Sequence, residues 1–259
     1  MTLKIRNIIF IFGISICSFL VYLIACNIST KEIPIRDYPE IQASGVLNIV
    51  MEYNSVDYYV SGDSISGIQY ELANYVQECS GLTVKIYLEN NLEVSFEKLQ
   101  NNEYDIIAQN IPITNESKKD LSFSIPIAKN KQVLIQRKLV ENDTIPFINN
   151  QIDLGNKTIY VAKNSPAILR LKNLAEEIAE SIFIEEIEDY TAEHLIYMVH
   201  AKNIDYAVVD QEIALKNSTL FPEIDFQTEI SFTQLQAWAV RKNAPILLDS
   251  LNVWLTNKK

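Results

Sequence analysis

Short apolar segments typical of strands alternate with amphipathic segments typical of helices from Gly45 onward, and this alternation limits the possible folds most strongly. The first series has the strand-like segments VLNIV, LTVKIYL and YDIIAQ, separated by the helix-like segments YELANYVQECSG and SFEKLQNN. A second series after KQVLIQRK has the same order, with KTIYVA, FIEEIE and DYAVVD as strands and AILRLKNLAEEIAESI and TAEHLIYMVHAKN as helices. The alternation predicts an α/β fold with largely parallel sheets, and its repetition predicts two similar lobes.

The end of the chain indicates how the lobes connect. After the second series the chain continues through QAWAVRK into a final helix-like segment, PILLDSLNVWLTN. We therefore expect lobe 1 to comprise residues 45–135 plus 236–259, and lobe 2 residues 136–235. Parallel α/β sheets bind ligands beyond the carboxyl ends of their strands, and clefts between lobes are common sites for small molecules. The pattern predicts a hinged binding protein with a ligand cleft between the lobes.

Composition excludes several classes of function. The 259 residues carry a net charge of −11 with no basic cluster, so nucleic acid is not an expected partner. Only two histidines occur, His194 and His200, and neither belongs to an HExxH motif. The chain has no CxxC pair, no GxSxG turn and only six glycines, so we expect no metal, no cofactor and no phosphate-binding loop. An enzyme is not expected.

The N-terminus indicates export. Lys4 and Arg6 precede an apolar run from Ile8 to Ala25, which is typical of a secretory signal. The phrase Leu-Ile-Ala-Cys ending at Cys26 resembles the lipobox of bacterial lipoproteins, which implies cleavage before Cys26 and lipidation of that cysteine. The alternative is an uncleaved transmembrane anchor, since the run is just long enough to span a bilayer. In both cases the remaining chain is held at a bacterial membrane in the cell envelope, facing the periplasm or the exterior.

Two further features concern the segment before the domain and the remaining cysteine. Residues 27–44 contain two prolines and no clear periodicity, which predicts a tether between the signal at 1–26 and lobe 1. Cys17 lies within the signal and Cys26 would be lipidated, so Cys79 is the remaining cysteine and no intrachain disulfide is expected. Cys79, near the end of a predicted helix that Gly81 closes, is expected to be a small buried residue.

Several of these segments together resemble a known family. GVLNIV, SGIQYELANYVQECSGLTVKIY, FEKLQNNEYDIIAQNIPITNESKKDLSFSIP and IDYAVVD are similar to the solute-binding proteins of family 3, over about residues 45–255. That resemblance implies a two-lobed periplasmic-binding-protein type II fold, a polar solute as ligand and an ABC importer as partner. YAVVDQEIALKNSTLFPEIDF and QAWAVRKNAPILLDSLNVWL also resemble the non-catalytic N-terminal module of membrane-bound lytic murein transglycosylase F. Because the chain ends at Lys259, we expect no catalytic domain behind it.

The resemblance implies a set of ligand-binding residues. They follow the strands of both lobes and are Glu52, Tyr53, Tyr58, Asn110, Thr114, Ser117, Ser165 and Asp210. In the family an arginine stands where this chain has Ser117, and it binds the ligand carboxylate. A guanidinium offers two parallel charge-assisted hydrogen bonds to a carboxylate, so its loss predicts weak binding of free α-amino acids. An amine-bearing, neutral or peptide-like solute is expected instead, unless the cleft has lost its function.

Each of these residues also has a purely structural explanation. Ser165 before Pro166 is a good N-cap, and Asp210 could cap the turn that follows its strand. Most of the 13 tyrosines pack in the interior or lie on the surface. Three functions stay open: a lipid-anchored, monomeric solute receptor for an ABC importer, a sensing module that binds cell-wall peptide fragments, and an enzyme on the same scaffold.

Overall fold

The computed structural model describes residues 35–139, 144–188 and 191–258, which belong to one compact unit, Ile35–Lys259. The predicted signal peptide, the lipidation site Cys26 and the first part of the tether lie outside the described residues. Within the described ranges, no helix has both the length and the apolar character needed to cross a membrane.

Strands and helices alternate along most of this unit. The strands are β1 (Val46–Met51), β2 (Tyr59–Ser61), β3 (Ser64–Ser66), β4 (Thr83–Leu88), β5 (Ile106–Pro112), β6 (Leu121–Phe123), β7 (Ala128–Asn130), β8 (Gln132–Arg137), β9 (Thr158–Ala162), β10 (Phe183–Ile187), β11 (Ala207–Asp210), β12 (Ile224–Asp225) and β13 (Gln234–Arg241). The helices are α1 (Tyr38–Ser44), α2 (Ile68–Ser80), α3 (Leu92–Gln100), α4 (Ser117–Asp120), α5 (Ala167–Ile178), α6 (Ala192–His200), α7 (Gln211–Asn217) and α8 (Pro245–Thr256), with a 3₁₀ turn at Gln151–Leu154.

The strands form two main sheets, which define the two lobes used below. The sheet of lobe 1 has the order β4-β1-β5-β13-β6, with β7 also paired to β13. The sheet of lobe 2 has the order β10-β9-β11-β8-β12, and β2 and β3 form a separate hairpin. The predicted lobe boundaries at 135/136 and 235/236 fall inside β8 and β13 and stay a prediction.

Both sheets are mixed rather than largely parallel as the sequence predicts. Strands β4, β1 and β5 are parallel to one another, as are β10, β9 and β11. In contrast, β13 runs antiparallel to β5, and β8 runs antiparallel to β11. These antiparallel strands are the ones that follow a crossing between lobes, so their direction is set by the return of the chain and not by a βαβ connection.

Apolar side chains fill separate cores in the two lobes. On one face of the first sheet α2 and α8 pack over the strand residues Leu47 and Trp238, and both of these and Leu251 of α8 are fully buried. Lobe 2 has a cluster on each face of its sheet, one of them around Leu195 and the other around Leu171. Each lobe therefore has its own hydrophobic core, which allows the space between the lobes to be polar.

Residues 35–44 belong to the folded domain, whereas the sequence predicts a tether through residue 44. Asp37 begins α1 through a capping box with Glu40. The same Asp37 carboxylate accepts hydrogen bonds from the amides of Ile246 and Leu247 at 3.1 and 2.7 Å, so it also caps α8. The helix buries Ile41 completely. Ile41 is the one fully buried residue of this short, proline-containing helix, which is too little burial to give a clear helical pattern in the sequence.

Arg36 fastens the start of the described chain to lobe 1. Its guanidinium holds both carboxylate oxygens of Asp105, at 2.8 and 3.0 Å. The fully buried Asp105 also accepts hydrogen bonds from the Asn48 amide at 2.9 Å and from Arg241 at 3.2 Å. Arg241 in turn donates to the Arg36 carbonyl at 2.7 Å. Removing one partner of such a hydrogen-bonded ion pair typically costs about 3–5 kcal/mol because it leaves a buried charge without compensation, so this cluster fixes the position where the chain enters the domain.

Helix α2 ends as predicted at Gly81, which adopts the left-handed conformation with φ of 68°. The prediction for Cys79 is wrong, because its side chain is exposed and not buried. The α2 residues that face the core are Leu72, Ala73 and Val76, and Cys79 lies outside this stripe. Cys79 lies three residues after Val76, a helical spacing that is compatible with burial, so the sequence alone could not show that this side chain is exposed.

Candidate functional site

A chamber lies between the two lobes, where loops from both sheets meet the crossing between β7 and β8. Its polar lining comprises Glu52, Asn54, Asp57, Gln109 and Asn110 from lobe 1, Asn130 and Gln132 from the crossing, and Lys163, Asn164, Ser165, Asp210 and Glu212 from lobe 2. This inner chamber has a volume of about 110 Å³. An apolar cavity of roughly 150 Å³ is known to hold benzene, so the inner chamber accommodates a small chemical group and not a large side chain.

A second space, which we name the outer chamber, adjoins the inner one. The two share Asn90, Ala162 and Lys163, and the outer chamber has a volume of about 340 Å³. Its other lining residues are Glu89, Asn91, Ile187, Glu188 and Thr191. A ligand can therefore place one end in the inner chamber and extend the rest outward.

The lobe 1 wall is built around the buried carboxylate of Asp57. The side chain of Asn54 donates to Asp57 Oδ2 at 2.8 Å, while its Oδ1 accepts from the amides of Val56 and Asp57 at 2.9 and 2.7 Å. Asn110 Nδ2 lies 3.3 and 3.4 Å from the two Asp57 oxygens. The Asp57 carboxylate thus accepts hydrogen bonds from two side-chain amides, which determine its orientation.

This wall is connected to the core by a chain of directed hydrogen bonds. The indole N–H of buried Trp238 donates to Gln69 Oε1 at 2.6 Å, and Gln69 Nε2 donates to Asn110 Oδ1 at 3.0 Å. Asn110 then donates to Asp57. Because every donor in the chain has its acceptor, the orientation of each amide is determined by its neighbours. The wall is consequently rigid before any ligand arrives.

Gly67 allows α2 to begin directly against this loop. Its φ is 137°, and a Cβ atom there would lie 2.2 Å from the backbone oxygen of Asp57. That oxygen accepts hydrogen bonds from the amides of Gln69 and Tyr70, both at 3.2 Å. A side chain at position 67 would separate the loop from the helix and remove both bonds.

The lobe 2 wall is built on the end of β11. Asp210 occupies the N-cap position of α7, but its side chain makes no capping hydrogen bond. The structural explanation considered for Asp210 therefore does not account for its carboxylate, which faces the chamber. Asn130 and Gln132, both buried, lie on the adjacent crossing. Within the described residues, Gln132 Oε1 has no hydrogen-bond partner, whereas the side-chain amide of Asn130 lies beside Asp210.

The carboxyl groups of the chamber have raised pKa values. Burial, reinforced by the charges of Asp57, Asp210 and Glu193, raises the pKa of Glu52 to about 8. Burial, reinforced by Asp57 and Glu212, raises the pKa of Asp210 to about 7, although the amides of Gln236 and Asn130 oppose this. Near neutral pH these two groups therefore retain protons for much of the time, because no cation compensates their charge.

Burial also raises the pKa values of the other two carboxyl groups of the chamber, Asp57 and Glu212. Burial raises the pKa of Asp57, and the hydrogen bonds from Asn54, Gln69 and Asn110 act in the opposite direction. Burial and the charge of Asp57 raise the pKa of Glu212. Lys163 is the only basic residue among the described residues that line the inner chamber, and it forms an ion pair with Glu188.

Direct hydrogen bonds join the lobes on two sides of the chamber. Ser55 of lobe 1 donates to Glu193 Oε1 from its amide at 2.8 Å and from its hydroxyl at 2.9 Å, and Asn217 Nδ2 donates to the Ser55 hydroxyl at 3.0 Å. On the other side, Asn164 Nδ2 donates to Asn91 Oδ1 at 3.3 Å and to Glu93 Oε2 at 3.0 Å. We call these contacts the Ser55 bridge and the Asn164 bridge.

Four of the eight residues expected to bind ligand lie together in the chamber lining: Glu52, Asn110, Ser165 and Asp210. Ser165 also has the structural role considered for it, since its hydroxyl accepts a hydrogen bond from the Ala167 amide at 3.2 Å. Their role in binding stays a prediction.

The two tyrosines lie elsewhere. The Tyr53 side chain is exposed, and Tyr58 packs against the core of lobe 1. The Tyr58 ring lies 6.3 Å from that of Tyr53 and makes an edge contact with Tyr70 at 5.6 Å. The structure thus places Tyr58 in a packing cluster and not in the chamber lining.

Thr114 and Ser117 also lie outside the lining, because they bind each other. Ser117 Oγ accepts from the Thr114 amide at 3.0 Å and contacts Thr114 Oγ1 at 3.1 Å. The Ser117 amide donates to Thr114 Oγ1 at 3.1 Å, and Ser117 Oγ reaches the Pro112 carbonyl at 3.0 Å. Both hydroxyls are used within this short turn.

The sequence interpretation missed several residues of the chamber: Asn54, Asp57, Gln109, Asn130, Gln132 and Glu212. Only Asp57 had a local signal. An asparagine three residues before it, directly after a strand, is typical of a turn in which Asn54 accepts main-chain hydrogen bonds. The glutamines carry no such signal, because glutamine is usual on any exposed strand.

Comparison with known families agrees with this geometry. Residues 47–259 match the bacterial extracellular solute-binding proteins, family 3. The chain belongs to this family, which confirms the resemblance found in the sequence.

Curated relatives include the membrane-bound lytic murein transglycosylases F. The one from Desulfosudis oleivorans is 27% identical over 215 residues, covering 82% of this chain and 45% of the relative. The one from Alcanivorax borkumensis is 26% identical over 221 residues, covering 85% of this chain and 46% of the relative. The chain thus spans less than half the length of these relatives.

Solved structures with the same fold are amino-acid-binding proteins. Holo ArgBP from T. maritima has a TM-score of 0.72 and 22% identity, covering 85% of this chain and 93% of its own. AbpA from Streptococcus pneumoniae, an amino acid ABC transporter substrate-binding protein bound to L-arginine, has a TM-score of 0.70 and 17% identity, covering 85% of this chain and 91% of its own. These similarities confirm the predicted α/β, two-lobed fold.

Proposed function

We propose that this protein is a lipid-anchored, extracytoplasmic receptor that binds a small polar solute between its lobes and presents it to an ABC-type importer. The observation that carries the proposal is the inner chamber, where polar groups of both lobes converge. A ligand held there contacts both walls at once, so binding favours the closed arrangement of the lobes.

The interior of the chamber supports binding without chemical conversion. Within the described residues, no group of three or more His, Cys, Asp or Glu side chains could hold a metal ion. Both histidines lie on α6, outside the chamber lining, and Ser165 contacts helix amides and not a base. The carboxyls crowd one another, which suits the binding of a complementary charge.

Anchoring through Cys26 rests on the sequence alone. Metabolic labelling with a radioactive fatty acid tests it, using the full-length chain in a bacterial host. The wild type should incorporate label and C26S should not, whereas labelling of C26S or an unlabelled wild type would contradict lipidation. C17S is the matched control and should still be labelled.

A second function is favoured by one specific observation, the match to transglycosylase F relatives over 82% and 85% of this chain. On this alternative the protein is a non-catalytic sensing or regulatory module whose chamber binds cell-wall peptide fragments. The outer chamber supports it, because a peptide is longer than the inner chamber.

A ligand screen tests the binding function shared by both alternatives. Thermal unfolding of the full-length chain, purified in a neutral detergent, should shift upward with amino acids, amines or muropeptides, because a ligand that binds only the folded state stabilises it. Uptake of the labelled ligand then separates the two. Loss of uptake after deletion of the gene supports import, and unchanged uptake supports sensing. If no member of the panel shifts the unfolding temperature, the proposal of a small-molecule receptor fails.

A further inference from the structure

The inner chamber offers many hydrogen-bond acceptors to a ligand. Four carboxyl groups line it, those of Glu52, Asp57, Asp210 and Glu212. Carboxyl groups can also lie close together without a cation when some of them keep their protons. A separate feature of the wall is therefore needed to show that a ligand with donors completes the chamber.

That feature is Gln132. Its side chain lines the chamber and is only 5% exposed, and its Oε1 has no donor among the described residues. A buried carbonyl oxygen without a donor costs about 1–3 kcal/mol, so such atoms normally have a partner. A ligand with several N–H groups supplies a donor to Gln132 and to the neighbouring carboxylates at the same time.

Several positions that could receive an anion are already occupied. The hydroxyls of Thr114 and Ser117 are bonded to each other, outside the chamber. At the start of α5, the amides of Ala167 and Ile168 donate to Ser165, and Pro166 has no N–H. Lys163 is paired with Glu188.

A further candidate for binding an anion is Asn130 Nδ2. Asn130 Oδ1 accepts from the Lys131 amide at 2.8 Å, which fixes the orientation of the side-chain amide. The Nδ2 group lies close enough to Asp210 to lower the pKa of that carboxyl. A ligand carboxylate at Asn130 would therefore stand beside Asp210, where like charges repel.

We infer that the inner chamber selects its ligand by an ammonium or guanidinium group alone, and that a carboxylate on the same ligand weakens binding. This deepens the proposed function and rests on it. An ammonium carries three donors and a guanidinium five, and neither has an acceptor, which matches the lining. The ligand class is that of small aliphatic amines and guanidines, with the chain extending into the outer chamber.

Matched pairs of probes test the inference directly. Agmatine is arginine without its carboxylate, and cadaverine is lysine without its carboxylate. Calorimetry with the full-length chain in neutral detergent should give at least about tenfold tighter binding for the decarboxylated member of one or both pairs, which corresponds to about 1.4 kcal/mol. Equal or tighter binding of the amino acids would overturn the inference, and so would the absence of binding by all four probes.

Variants identify the chamber as the place of binding. D210N should weaken agmatine binding by about tenfold or more, since a charge-assisted hydrogen bond contributes about 1.5–3 kcal/mol. D63N removes the same charge from the exposed turn between β2 and β3 and should leave binding unchanged. Thermal unfolding confirms that each variant is folded, and E52Q provides a second chamber variant. Full agmatine affinity in both D210N and E52Q would overturn the inference.

The outcomes remain distinguishable from those of the receptor proposal. If the broader screen finds a ligand but the matched pairs favour carboxylates, the receptor proposal stands and the inference fails. If no compound of the broader screen binds, the receptor proposal itself fails.

Discussion

The two walls of the inner chamber carry similar side chains but differ in how fully their hydrogen bonds are satisfied. On the lobe 1 wall, Asp57 accepts from Asn54 and Asn110, and Gln69 continues the chain to Trp238. Opposite it, Asp210 makes no capping bond and Gln132 has a carbonyl oxygen without a donor in the described structure. A satisfied wall contributes to stability, whereas an incomplete wall contributes to binding. The following predictions test this division, beginning with the largest expected effect.

The carboxyls of both walls should make the stability of the ligand-free protein depend on pH. Glu52 and Asp210 have folded-state pKa values of about 8 and about 7, above their ordinary values of 4.5 and 3.8. The folded protein therefore binds more protons than the unfolded chain between about pH 4 and pH 8. Their contribution to stability is complete below pH 4 and is lost as the pH rises through 7 and 8. Since one pKa unit corresponds to about 1.4 kcal/mol and each of the two pKa values is raised by more than three units, the expected loss over the whole pH range is on the order of 10 kcal/mol.

Urea unfolding at pH 5 and pH 8.5 measures this loss. Asp57, Glu193 and Glu212 add their negative charges to the same space, and Lys163, the basic residue of the described lining, is paired with Glu188. E52Q should flatten the profile, because glutamine does not titrate, and the surface variant D63N should leave it unchanged. A wild-type profile that rises from pH 5 to pH 8.5 would contradict the prediction.

Removal of Gln69 should break the satisfied wall. The Q69L variant leaves the Trp238 indole N–H and Asn110 Oδ1 without partners, and each orphaned buried group costs about 1–3 kcal/mol. We expect a loss of about 2–4 kcal/mol in the free energy of unfolding, measured by urea denaturation. Q100L is the matched control, because Gln100 is exposed and its 3.5 Å contact to Asp120 is weak. Similar stabilities of Q69L and Q100L would show that the chain of hydrogen bonds contributes little.

The same kind of change on the incomplete wall should affect binding instead. In Q132M the unpaired carbonyl oxygen is replaced by an apolar side chain of similar length, so the free energy of unfolding should stay the same or rise by up to about 3 kcal/mol. Agmatine affinity, measured by calorimetry, should fall about tenfold. Q227M, at an exposed position of lobe 2, should preserve it. If Q132M destabilises the protein as strongly as Q69L, the two walls do not differ as described.

The smallest effects are expected at the bridges between lobes. S55A removes one hydroxyl from the Ser55 bridge but keeps the amide contact to Glu193, and N164G removes the Asn164 bridge while tolerating the positive φ of 59°. One hydrogen bond contributes about 0.5–1.5 kcal/mol, so ligand affinity should fall about two- to tenfold in each variant. Small-angle scattering should show a larger radius of gyration without ligand. S250A, whose hydroxyl contacts only its own helix, is the control, and an unchanged radius in both bridge variants would contradict a closing role.

Much of the fold could be predicted because it depends on local patterns. The alternation of strands and helices, the cap at Gly81 and the two-lobed class all follow from short segments, and the comparisons confirm the fold and family. Half of the expected site residues line the chamber, since the ends of β1, β5 and β11 are recognisable from their apolar runs. The site residues that the sequence predicts correctly are thus those that directly follow a recognisable strand.

Features that depend on distant contacts could not be predicted. Gln69 acquires its role from Trp238, which lies far along the chain, and α1 is ordered by burial of Ile41 against elements from both ends of the domain. Ser117 stabilises a turn by hydrogen bonding to Thr114, so its hydroxyl is not directed to a ligand as the sequence suggested. Such roles are set by tertiary packing, and a single sequence contains no pattern that reports them.

The clamp formed by Arg36 on Asp105 has a mechanical consequence. It joins the point where the chain enters the domain rigidly to lobe 1. A pull on the N-terminus would therefore be transmitted to lobe 1 first, and lobe 2 would be loaded only through the segments that cross between the lobes.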